Sequence, residues 1–180
     1  MRSGAGRRAV PLARQPESPE AAYTEAVKRL ARQPQPRAAL EQRLLRLGYT
    51  EAAVGTALAR AQAQGYLDDQ AYAASLVRRR APGRGHALIA RELRAKGIDD
   101  VDAQVALEQV EPESETEQAI ALGRRLVAQR KPADAEALYA HVAPRLARRG
   151  FSGGLVYRVC RLLADESQAA GRFDSFLERD

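Results

Sequence analysis

Tryptophan is absent from this 180-residue chain, and aromatic residues make up only 5% of it. Large rings therefore supply little of any core. Cysteine occurs once, as Cys160, so no internal disulfide framework can form and a reducing cytosolic setting is expected. Glycine and proline are scarce, at 13 and 9 residues, which argues against a turn-rich sandwich or barrel. The longest uncharged run is eight residues, against the roughly 20 that a transmembrane helix needs. The N-terminus lacks the apolar stretch of a secretory signal. Only two histidines occur, His86 and His141, and they share no metal-ligand spacing with Cys160. Phosphate loops, nucleophile elbows and dinucleotide fingerprints are missing too. No enzyme activity, cofactor or metal is expected.

What is plentiful is alanine, a fifth of the chain, alongside leucine and valine. That is the composition of a helical protein. Arginine is equally abundant, since all but three of the 29 basic residues (Lys28, Lys96 and Lys131) are arginines. A GC-rich genome would explain arginine over lysine. It would not explain a net charge of +6, which favours acidic partners.

An internal repeat organises most of the chain. The segments Leu40–Leu58, Ile89–Leu107 and Val142–Cys160 align at offsets of 49 and 53 residues. Leu40, Ile89 and Val142 coincide, as do Leu44, Leu93 and Leu146 four residues on, which places each pair on one helical face. Gly48, Gly97 and Gly150 follow, suited to ending a helix in the left-handed conformation. Tyr49, Ile98 and Phe151 come next, then Thr50, Asp99 and Ser152 as N-caps of a further helix. A third helix precedes each pair, at about Glu20–Gln33, Asp69–Arg80 and Glu115–Arg130. The expected fold is all-α: three tandem three-helix repeats forming an elongated, curved body, roughly 70–80 Å long. Expected boundaries are a disordered basic tail over 1–19, repeats over 20–66, 67–112 and 113–169, and a C-terminal tail over 170–180.

The central repeat contains Gly65-Tyr66-Leu67-Asp68-Asp69, then Tyr72, and later Ile89 and Leu93 with Lys96-Gly97-Ile98. In motif order and spacing this resembles the RecX regulatory proteins, bacterial modulators of the RecA recombinase. The resemblance spans about Ala21–Asp165 and implies a non-enzymatic protein. It implies binding to the RecA filament on single-stranded DNA, with restraint of filament growth, ATPase and strand exchange. Recombinational DNA repair and the SOS response would be the processes modulated.

Read without the resemblance, the best candidate surface is the basic run Arg78, Arg79, Arg80, Arg84, Arg91, Arg94 and Lys96, with Glu92 its only acid. On a continuous helix Arg84, Arg91 and Arg94 would share an arc of about 80°, with Ile89 and Leu93 roughly opposite. The run is either a recognition face for acidic protein or DNA phosphate, or an ordinary solvated face. From Asp99 to Glu117 the charge inverts, with eight acids and no lysine or arginine. Helix-start electrostatics explain most of it. Asp68 and Asp69 read as N-cap and first turn rather than a catalytic pair, with Tyr66 and Leu67 packed beneath and Tyr72 in the core. Cys160 stands at an apolar repeat position and reads as a buried thiol. Two other functions stay open: direct DNA binding through helix-turn-helix-like pieces, and a generic helical scaffold. A cytoplasmic monomer is expected.

Overall fold

The computed structural model describes residues 13–109 and 112–177. Among them are nine α-helices and no strand: α1 Pro19–Leu30, α2 Arg37–Arg46, α3 Glu51–Ala63, α4 Asp69–Arg80, α5 His86–Ala95, α6 Asp100–Glu108, α7 Pro112–Gln129, α8 Ala135–Arg148 and α9 Gly153–Leu177. A single 3-10 turn, Ala81–Gly83, lies between α4 and α5. Residues 1–12 of the expected tail fall outside the described residues. Its remainder is held in place: the Ala13 N–H donates to the Leu47 carbonyl at 2.6 Å, and the Thr50 N–H to that of Pro16 at 3.0 Å. At the other end α9 runs on to Leu177, past the expected end of the third repeat at residue 169.

The chain packs as two compact units. One comprises the residues up to Tyr72 together with Lys96–Ile98, and the other Ala73–Ala95 with the residues from Asp99 onward. In the first unit Leu40, Leu44, Val54 and Leu58 are fully buried in one cluster with Ala26, Leu47, Ala61 and Leu67. Alanines at Ala22, Ala53 and Ala57 let α1 lie close against α3. Arg60 stacks over the Tyr23 ring, 4.1 Å from its centre, across the same helix pair. In the second unit α7, α8 and α9 close around Leu138, Val142, Leu146, Phe151, Val159 and Leu163. Gly123 allows the approach of α7 to α9, since a Cβ there would lie 2.7 Å from Leu163 Cδ1. Arg124 of α7 grips Glu166 of α9 at 2.6 Å. That hydrogen bond holds the Glu166 carboxyl below its ordinary range and raises the guanidinium, but both groups are exposed and the pair adds little stability.

Cys160 is buried in this core, and burial pushes its thiol pKa up, so thiolate is scarce near neutral pH. An alkylating reagent is expected to leave Cys160 untouched in native protein and to label it fully in denaturant. Native labelling at the rate of a free thiol would show that the core opens.

The turns behave as the sequence leads one to expect. Gly48, Gly97 and Gly150 have φ of 93°, 79° and 86°. Thr50, Asp99 and Ser152 cap the helices that follow, accepting from the N–H groups of Ala53, Asp102 and Leu155. A second pattern links successive helices. The residues before α2 and α5 are Pro36 and Gly85, which have no side-chain oxygen to cap a helix. The cap comes from elsewhere: Asp69 at the start of α4 accepts the Arg37 N–H at 2.8 Å, and Glu115 in α7 accepts the His86 N–H at 2.9 Å. Glycine then presses on the same helix starts. A Cβ on Gly97 would come inside 3.0 Å of Ala38 Cβ, and one on Gly150 inside 3.0 Å of the Leu88 nitrogen.

Candidate binding surface

The basic run occupies a corner of the second unit made by α4, the 3-10 turn and α5. Pro82, Gly83 and Gly85 interrupt the helix there, because proline withdraws an N–H and glycine favours the turn. Arg84 consequently stands in extended backbone (φ −140°, ψ 136°) outside α5, which begins only at His86. The expected shared arc of Arg84, Arg91 and Arg94 is therefore corrected: Arg91 and Arg94 lie on exposed parts of α5, Ile89 and Leu93 are its buried face, and Arg84 belongs to the loop.

Glu92 organises the corner. Its carboxylate accepts from Arg80 Nε at 3.2 and 3.1 Å and from Arg80 Nη2 at 2.9 Å. It also accepts from Arg84 Nη1 at 2.6 Å. The Glu92 side chain is only 19% exposed, so these charge-assisted bonds are partly shielded from water. Arg80 and Arg84 are thus held as structural guanidiniums. Arg79 donates to the Ser75 hydroxyl at 2.8 Å, and Arg94 pairs with Asp100 at 2.6 Å in an open setting worth little. Arg78 and Arg91 are exposed and form no ion pair among the described residues, so they are the cations available to a partner. Lys96 is half-buried and belongs to the first unit.

Two positioning residues went unsuspected in the sequence. Arg149 Nη1 donates to the Gly83 carbonyl at 3.0 Å, while its own carbonyl accepts the Gly85 N–H at 2.8 Å. Glu115 holds the start of α5 and lies 3.5 Å from His86 Nδ1. Arg149 directly precedes the aligned Gly150, and that position was its one visible signal.

Around the Gly65 turn the outcome is mixed. Asp68 caps α4 as expected, accepting the Ala71 N–H at 2.8 Å. Leu67 is the buried anchor, but Tyr66 is 54% exposed and Tyr72 half-buried. The N–H groups of both Tyr66 and Leu67 converge on the Ala61 carbonyl. The turn thereby sends Leu67 inward and leaves Tyr66 outside. Among the described residues no helix is long and apolar enough to cross a membrane, and no group of three or more His, Cys, Asp or Glu residues is placed to hold a metal ion.

Comparison with known proteins matches this region first. The family model described as "RecX, second three-helix domain" covers residues 68–107, from the α4 cap to the end of α6. A regulatory protein RecX from Thermobifida fusca is 33% identical over 86% of this chain and 85% of its own length. One from Thermus thermophilus is 35% identical over 82% of this chain and 95% of its own. The crystal structure of a regulatory protein RecX covers 78% of this chain and 72% of that one, at 28% identity and a TM-score of 0.71. The structure of RecX from Lactobacillus salivarius covers 81% of this chain and 96% of that one at TM-score 0.76; at 23% identity it speaks for the fold alone. Repeat, turn chemistry, central motif and full-length relatives agree, and the chain belongs to the RecX family of regulatory proteins.

Proposed function

We propose that this protein is a non-enzymatic regulator that binds the RecA recombinase filament on single-stranded DNA and inhibits its ATPase, growth and strand exchange. In that role it modulates recombinational DNA repair and the SOS response in the cytoplasm, acting as a monomer. Its working parts are three three-helix repeats, over 20–66, 67–112 and 113–169. The supporting observation is the 33% identity to a regulatory protein RecX over most of both chains. Arg78 and Arg91, exposed and without ion pairs among the described residues, are the side chains best placed to meet an acidic partner. Guanidinium groups suit that task because they grip carboxylates and phosphates through two parallel N–H donors. Arg79, Arg80, Arg84, Arg94 and Lys96 would frame the surface.

The test is single-strand-dependent ATP hydrolysis by the cognate recombinase, with this protein well below one molecule per recombinase subunit. Inhibition is expected. Its absence, even at excess where this protein binds naked DNA, overturns the reading and favours the second one, a direct DNA binder. The net charge of +6 is what favours that alternative. A direct binder that neutralises Z phosphates would weaken with salt at a log–log slope of roughly −0.9Z on duplex or −0.7Z on single strands. A filament regulator would instead prefer recombinase-coated DNA to either component.

A further inference from the structure

The residues just before Leu44, Leu93 and Leu146 are Arg43, Glu92 and Arg145. One repeat position thus carries arginine, glutamate and arginine. In α5 the glutamate seats its carboxylate between Arg80 at the end of α4 and Arg84. That groove, between the end of one helix and the flank of the next, is filled by the protein's own anion. In α2 and α8 an arginine replaces the glutamate, and the corresponding junction is a cavity walled by cations.

Between α7 and α8 the cavity measures about 500 Å3 and is lined by Arg130, Lys131, Arg145 and His141, with no carboxylate among its described walls. Arg130 and Lys131 stand exposed at its rim, while Arg145 is half-buried and donates to the His141 carbonyl at 2.5 Å. Between α1 and α2 the cavity measures about 610 Å3, and Lys28, Arg29, Arg32 and Arg43 outnumber a single Glu25. Each cavity also contains a buried nitrogen without a hydrogen-bond partner, His141 Nε2 in one and Arg29 Nε in the other. Buried polar atoms of native proteins are nearly always paired, so an orphan in a cationic cavity points to a ligand.

We propose that the α7–α8 cavity binds a phosphate of a nucleic-acid strand, and that the α1–α2 cavity is its repeat-related counterpart. Glu92 demonstrates that this junction accommodates an oxyanion. Three cations with no internal acid exceed what one carboxylate would neutralise, and a phosphate offers enough oxygens to engage all of them. Exposed rim residues leave the anion joined to solvent, as a phosphate within a continuous strand requires. The site is separate from the α4–α5 corner, and its occupancy does not depend on any recombinase.

With only two histidines in the chain, the imidazole NMR signals report the site directly. The full chain would be titrated at constant ionic strength with inorganic phosphate, with a short oligothymidylate, and with poly-glutamate. His141 is expected to shift saturably, more tightly with the oligonucleotide than with free phosphate, while His86 stays still. Lys131→Ala, on an exposed loop, and Arg145→Gln should each weaken the oligonucleotide titration roughly tenfold, the loss of one charge-assisted contact. An unmoved His141 overturns the proposal. Equal saturation by inorganic phosphate would give the cavity to a free anion, and equal saturation by poly-glutamate to an acidic peptide, either of which also overturns it.

Discussion

Gly150→Ala is expected to destabilise this protein by about 3 kcal/mol or more, a cost reserved for backbone-level conflicts. Two effects add. The φ of 86° is strained for any residue with a Cβ. The new methyl would also meet the Leu88 nitrogen and Cα, which are backbone of α5 and cannot rotate aside. For a chain of this length the melting temperature should fall by roughly 10 °C. Gly65→Ala is the internal control. Its φ is 74°, but nothing lies within 4 Å of the added methyl, so only the conformational cost of about 1 kcal/mol applies. Thermal melts followed by circular dichroism separate the two, and equal losses would refute the contact between Gly150 and α5 as a source of stability. Gly97→Ala belongs between them, because its obstacle is the Ala38 side-chain methyl rather than backbone.

The Arg78→Ala, Arg91→Ala double variant is expected to raise the concentration needed for half-inhibition of the recombinase ATPase by at least tenfold, with an unchanged melting temperature. A hydrogen bond to a charged group contributes about 1.5–3 kcal/mol, and a tenfold change needs about 1.4. Stability should hold because both side chains are exposed and neither makes an ion pair among the described residues. Glu92→Gln should do the opposite. It weakens the hold on Arg80 and Arg84 and lowers stability by about 1–3 kcal/mol, the cost of disturbing a partly buried charged hydrogen bond. If the double variant inhibits as well as the parent chain, the recognition surface lies elsewhere on the molecule.

Much of the fold was legible in advance because its signals are local. A Leu at i and i+4, a glycine at the helix end and a Thr, Asp or Ser two residues later act within one turn of chain. These gave α2 with α3, α5 with α6, and α8 with α9, and α4 was read to its observed ends at Asp69 and Arg80. The candidate surface was legible only as a list of arginines. Charge density is visible in sequence, but the partner of each charge is not. Glu92 looked like a lone acid diluted by cations, yet two guanidiniums converge on it from positions 8 and 12 residues away. Tyr66 and Leu67 were indistinguishable as neighbouring apolar residues until the Gly65 turn chose which of them faces inward.

The sequence by itself determined the helical class, the repeat, the glycine turns, the N-caps and the resemblance to RecX proteins, because each depends on residues within a few turns or on motif order. Only the tertiary structure decided that Asp69 and Glu115 cap helices other than their own, and that Arg149 braces the Gly83–Gly85 corner. It alone divided the arginines into those already paired and those left for a partner. These contacts join residues 29 to 66 positions apart. No local rule encodes such pairings, because they exist only once helices have stacked and unsatisfied backbone groups have met the nearest carboxylate or guanidinium.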